Sequence, residues 1–173
     1  MRLDDTTHDS SRDAQPDSPQ RVTDPLERRA IEIELAVAFR DAAAAHLGDE
    51  AAQALFDQVV DQQARAAAER FRTNVPEPTL SDLWDVWRHL GGDGRLDMTL
   101  DELTDTTLQF HVDRCAYAER YRELGLEDAG VAFSCRRDAP FARAFLPGVT
   151  VEQSKTILEG GPRCEFTYRL ETT

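Results

Sequence analysis

The 173-residue chain has no run approaching the roughly 20 apolar residues that a membrane-spanning helix needs. Residues 1–24 hold no apolar core like that of a signal peptide, so a cytoplasmic location is expected. Cysteine is scarce: Cys115, Cys135 and Cys164 are an odd count, spaced 20 and 29 positions apart with no Cys-x-x-Cys pair. Reduced thiols are therefore expected, with neither a disulfide framework nor a structural zinc site. Basic charge is also short: 20 Lys and Arg stand against 33 Asp and Glu, giving a net charge of −13 and a pI near 4.7. That field repels phosphate backbones and anionic headgroups, so neither nucleic acid nor a membrane is expected as a partner, and a small molecule is. Gly91-Gly92-Asp93-Gly94 follows a helical stretch and lacks the spacing of a phosphate-binding loop, and there are no internal repeats. No metal or cofactor is expected.

What is present reads as one α+β domain over residues 25–173, preceded by a disordered acidic tail over residues 1–24. In the helical part, residues 25–92, a first helix runs from Pro25 to Leu47 with Ile31, Leu35 and Phe39 at helical spacing. A second follows from Asp49 until Val75-Pro76, and the two form an antiparallel hairpin. A third starts at Thr79 or Ser81, carries Leu83, Trp84, Trp87 and Leu90 on one face, and stops at Gly91-Gly92. Core packing explains the tryptophans and His89 better than a pocket floor does. In the sheet part, residues 93–173, alternation marks strands at Leu96–Leu100 and Leu108–Val112. A helix follows over Ala116 to Leu124, then a strand at Val131 to Cys135 and a short helix from Asp138 to Phe145. The chain ends in a C-terminal β-hairpin of Val149 to Leu158 and Cys164 to Leu170, turning at Gly160-Gly161-Pro162-Arg163. The expected architecture is thus a helical hairpin and third helix on a small antiparallel sheet. A sheet edge or the Trp84–Trp87 face leaves a homo-oligomer open.

Chemistry concentrates in residues 110–166. Cys115 falls at a strand-to-helix junction, where free N–H groups and the helix dipole favour a thiolate. Cys135 is followed by Arg136 and Arg137, which also favour a thiolate, and by Asp138, placed to move a proton. Cys164 opens a strand with the parity of Phe166 and Tyr168. For each thiol the plain alternative is a small buried hydrophobe. His111 shares its strand parity with Asp113 and is either a base, a ligand or a solvent-facing side chain.

These residues resemble a family. The ordered blocks Arg-Cys-x-Tyr-Ala-Glu (Arg114 to Glu119), Glu-Leu-Gly (Glu123 to Gly125), Ser-Cys-x-Arg-Asp (Ser134 to Asp138), Thr-Ile-x-Glu-Gly (Thr156 to Gly160) and Cys-x-Phe (Cys164 to Phe166) are similar to those of the L-2-amino-thiazoline-4-carboxylic acid hydrolases. The resemblance implies a small-molecule hydrolase that opens a C–N or C–S bond in a heterocycle or amidine by way of an N-carbamoyl intermediate. It implies Cys135, Asp138 and Cys115 as catalytic candidates, and Arg137, His111, Tyr117, Glu159 and Cys164 as substrate-binding ones. Arg136, Arg143, Gln153 and His111 depart from the family pattern, so a retained scaffold that takes a different substrate is the expectation. Two further expectations stand beside hydrolysis: a cyclisation or other tailoring step in a biosynthetic pathway, and a small-molecule-binding module without turnover.

Overall fold

The computed structural model describes residues 24–171; the tail expected over residues 1–24 lies outside the described residues except for Asp24. Asp24 caps helix α1 (Pro25–Leu47): its carboxylate accepts from the Leu26 N–H at 3.0 Å, and Pro25 occupies the first turn, where no N–H is needed. Gly48 at φ +82° makes the whole connection to α2 (Asp49–Arg72), so α2 packs back along α1. In α2 the buried residues Ala52, Phe56, Val60, Ala64 and Ala68 recur every four positions, one stripe of a 3.6-residue helix. A capping box between Thr79 and Asp82 starts α3 (Leu80–Gly91), which buries Leu83 and Trp87.

Two antiparallel hairpins form the sheet. Strands β1 (Leu96–Leu103) and β2 (Thr107–Cys115) pair, β2 pairs with β4 (Cys164–Leu170), and β4 with β3 (Val149–Gln153), giving the order β1-β2-β4-β3. Alternation fixes its faces. Leu108, Phe110 and Val112 of β2 and Cys164, Phe166 and Tyr168 of β4 are buried on the inner one. Phe110 lies opposite Phe166, the rings stacked at 4.8 Å between centroids. This face packs on α2, α3 and α6 (Asp138–Phe145) to make the main core, which Trp87, Phe141 and Phe145 fill. A second cluster joins Ile33 of α1 to Ala118 and Tyr121 of α4 (Ala116–Leu124), and to Ala129 and Leu158.

Two sequence expectations are corrected. Val131 to Cys135 is no strand: residues Glu127–Phe133 form helix α5, and Cys135–Arg137 a 3-10 turn. Glu127 and Asp128 sit in the first turn of α5, where the helix dipole favours negative charge, and Gly130 is buried inside it because α4 passes too close for a side chain. A Cβ there would come within 2.5 Å of Tyr121. The alternation from Val149 to Leu158 likewise sustains a strand only to Gln153. Beyond it, Thr156 folds back: its N–H and hydroxyl donate to Glu159 at 3.0 and 2.8 Å, and Gly161 N–H donates to Thr156 O at 2.8 Å. Only glycine fits position 161, because a Cβ would lie 2.2 Å from the Lys155 carbonyl oxygen.

Candidate functional site

A cavity of about 1010 Å³ lies between the inner sheet face and the helices. Phe110, Phe166 and Tyr168 of the sheet line it, with Trp87 and Phe141 beside them. Cys115, Cys135, Arg137 and Asp138 line it from the segment between β2 and α6, and Cys164 from β4. On the solvent side it is bordered by α1 and α2, where Leu35 and Phe39 are 58% and 70% exposed. A smaller depression of about 480 Å³ around Asp24, Asp93 and Arg114 holds none of the thiols.

Three cysteines far apart in sequence meet here. The Cys135 thiol responds to Asp138, Cys164 and Cys115, and the Cys164 thiol to Cys115 and Asp138, so sulfurs and carboxyl form one electrostatic cluster. Of the two readings open for each cysteine, thiolate or small buried hydrophobe, burial opposes the first. Cys115 does cap α4, its sulfur accepting from the Ala118 N–H at 3.4 Å, yet burial outweighs that and raises its pKa. Burial, reinforced by the charge of Asp138, pushes the Cys135 thiol far up, against a smaller opposing effect of the Thr156 hydroxyl. Arg136 points to solvent and does not offset it. Burial brings Cys164 to about 11, although its sulfur accepts from the Ile157 N–H at 3.2 Å. All three thiols are therefore protonated near neutrality.

Asp138 behaves differently. Burial lifts its carboxyl to about 7, and the positive charges of Arg137 and Arg29 only partly restrain the rise. It is thus the group of this cluster that both holds and releases a proton at neutral pH. Arg137 is half-buried, and its pKa is lowered first by burial and then by Arg29. Among the described residues its guanidinium has no hydrogen bond or ion pair, and Arg137 lines the cavity, where an anion could take up its donors.

Cys115, Tyr117, Cys135, Arg137, Asp138 and Cys164 are brought together on the cavity wall. Two candidates are not. His111 lies on the outer face of the sheet, between Asp101 at 2.8 Å and Asp113 at 3.4 Å, because it alternates with the inward Phe110 and Val112. Glu159 is exposed and closes the Thr156 turn, whose backbone and side-chain hydrogen bonds lower its pKa. Sequence reasoning missed Arg29, four residues before the fully buried Ile33 and so on the inward side of α1. It missed the Tyr121 hydroxyl, bonded to Ser134 at 2.7 Å, and the Tyr168 hydroxyl and Trp87 N–H. Those last two are buried without a hydrogen-bond partner among the described residues. The indole is near enough to the phenol to be the smallest influence on its pKa, but neither meets hydrogen-bond geometry. Among the described residues no group of three or more His, Cys, Asp or Glu could hold a metal ion, and no helix is long and apolar enough to cross a membrane.

Fold and site together define a small α+β domain built around a largely apolar cavity whose wall also carries thiols, carboxyls and arginines. The family model described as L-2-amino-thiazoline-4-carboxylic acid hydrolase matches residues 28–168, and the chain belongs to that family. A search of the curated proteins finds no match. Among solved structures, the chain is similar to the phenol-responsive sensory domain of the transcription activator PoxR, solved with phenol. The two are 13% identical with a TM-score of 0.50, over 82% of this chain and 74% of that one, a likeness that shows the fold.

Proposed function

We propose that this protein hydrolyses a cyclic amidine of the aminothiazoline-carboxylate type, with Cys135 as nucleophile and Asp138 as the proton carrier. The observation that carries this reading is the carboxyl of Asp138, at about 7, set in the thiol cluster beside Arg137 on the cavity wall. Arg137 and Arg29 hold the substrate carboxylate. The Cys135 sulfur attacks the amidine carbon while its proton passes to ionised Asp138. The ring C–S bond then breaks, and Asp138 returns the proton to the departing sulfur. Water next adds to the same carbon and gives a proton to Asp138. The bond to Cys135 breaks, its sulfur regains that proton, and an N-carbamoyl thiol is released. The elevated Cys135 pKa is compatible with this order: a more basic sulfur displaces a thiol of ordinary pKa near ~8.5, the better leaving group. No free thiolate accumulates, because the proton moves as the bond forms.

The test is incubation with L-2-amino-thiazoline-4-carboxylate, following free thiol and the N-carbamoyl product by mass spectrometry. Turnover by the parent chain, lost in folded Cys135→Ser and Asp138→Asn variants, is the expected outcome. A product formed without uptake of water would point to the non-hydrolytic tailoring step. A second reading, ligand binding without turnover, draws on the three protonated thiols in a largely apolar chamber and on a fold shared with a domain described as phenol-responsive. Saturable binding with no product from any tested amidine would favour it.

A further inference from the structure

The chain carries a net charge of −13, yet its cavity is lined by six arginines (Arg28, Arg29, Arg40, Arg70, Arg95 and Arg137) against two carboxylates, Glu32 and Asp138; Arg28 and Arg29 pair with Glu32, Arg40 with Asp41 and Arg95 with Asp93, which leaves Arg70 and Arg137 without an ion pair among the described residues. An acidic protein that gathers positive charge at one concavity draws anions there. The inner end of this charge is specific. Arg29 is steered by Glu32 at 3.0 Å and lies over the Phe133 ring at 5.2 Å, and its charge bears on the half-buried, unpaired Arg137. Both arginines line the cavity, with Glu32 and Asp138 as the nearby carboxylates, and a ligand carboxylate placed between two guanidiniums is held by charge-assisted hydrogen bonds. Most of the rest of the wall is apolar, with Gln63, His89, Ser134 and Gln153 among its polar members, and about 1010 Å³ is the upper end of the ~300–1,000 Å³ typical of pockets for drug-sized ligands. One five-membered ring with a carboxylate leaves most of it empty.

We infer that the natural substrate is an amphipathic carboxylate much larger than one aminothiazoline ring, gripped by its carboxylate between Arg29 and Arg137, with its apolar body along Phe110, Phe166 and Trp87 toward Leu35 and Phe39. This deepens the proposed function and rests on the cavity being its substrate site. Leu35 and Phe39 are exposed because an occupant of this kind covers them.

The experiment is titration calorimetry of the full chain with three probes: 4-phenylbutyrate, 4-phenyl-1-butanol and acetate. The acid should bind about tenfold or more tightly than the alcohol, and acetate should bind far more weakly than either. Arg137→Gln and Arg29→Gln should each collapse the preference for the acid while leaving the alcohol unchanged. Phe39→Ser, on an exposed side chain, should weaken both phenyl probes alike. Arg137→Lys should keep part of the preference, and circular dichroism establishes that each variant is folded. Equal affinity for acid and alcohol, acetate as tight as 4-phenylbutyrate, a preference that survives both glutamine variants, or no binding of any probe would each overturn the inference. The readout needs no turnover. Failure of aminothiazoline hydrolysis with this pattern intact would reject the reaction alone, and hydrolysis with the pattern absent would reject the substrate class alone.

Discussion

Replacing Asp138 by Asn should stabilise the protein, and do so more strongly at alkaline than at acidic pH. Folding carries the Asp138 carboxyl from its ordinary 3.8 to about 7. A carboxyl raised in this way is held as the neutral acid more firmly in the native state than in the unfolded chain. Its contribution is fully present below the unfolded value and is lost as pH rises through the folded one. Each pH unit between those limits costs about 1.4 kcal/mol, so the native state has given up about 4 kcal/mol once pH passes the upper limit. Asn keeps the shape and cannot ionise. The stability gap between variant and parent should therefore widen by about 2–3 kcal/mol between roughly pH 5 and pH 8. For a domain of this size that is about 5–10 °C in the difference of melting temperatures. Thermal melts of both proteins at the two pH values measure it, and every other titrating group cancels because the chains differ at one side chain. A gap that stays constant with pH would refute the assignment of a raised carboxyl. On the proposed mechanism, in which Asp138 takes the proton of Cys135, turnover should climb as pH approaches about 7 and level off above it.

Two further outcomes follow from burial. Iodoacetamide at neutral pH should label Cys115, Cys135 and Cys164 at least about 100-fold more slowly in the native protein than after denaturation, as read by peptide mass spectrometry. Rapid labelling of Cys135 would restore the thiolate that the structure argues against. Tyr168→Phe should leave stability unchanged or raise it by about 1 kcal/mol in denaturant melts, since it deletes a buried hydroxyl without a partner, whereas a clear loss would mean that hydroxyl is bonded.

The long elements were legible because their signals were local. Periodicity and punctuation at Pro25, Gly48 and Thr79 placed α1 to α3, and strict alternation placed β2 and β4 with their inner faces. α5 was not legible: seven residues are too few to show a helical period, and its Gly130, buried because Tyr121 approaches closely, is not a helix former. Motif positions singled out Cys135, Arg137 and Asp138, which the structure places on the cavity wall, but not the state of their protons. Neighbouring arginines in sequence suggested depressed thiol pKa values, whereas burial, a property of the assembled core, reversed the sign. Glu159 belonged to a motif for the sake of the Thr156 turn, a structural duty that sequence alone does not separate from a catalytic one.

The fold does not choose between catalysis and sensing, since a likeness to a sensory domain shows only the scaffold. Asp138 supplies the stronger argument. A cavity that only captured a carboxylate would gain nothing from a carboxyl next to its arginines: the ionised form weakens their hold on the ligand, and burying it costs about 4 kcal/mol above neutral pH. Asn, or an apolar residue packed against Phe141, would serve a receptor better on both counts. A hydrolase needs a group that exchanges a proton near pH 7 beside its nucleophile, and there the same burial that costs stability is what tunes the base.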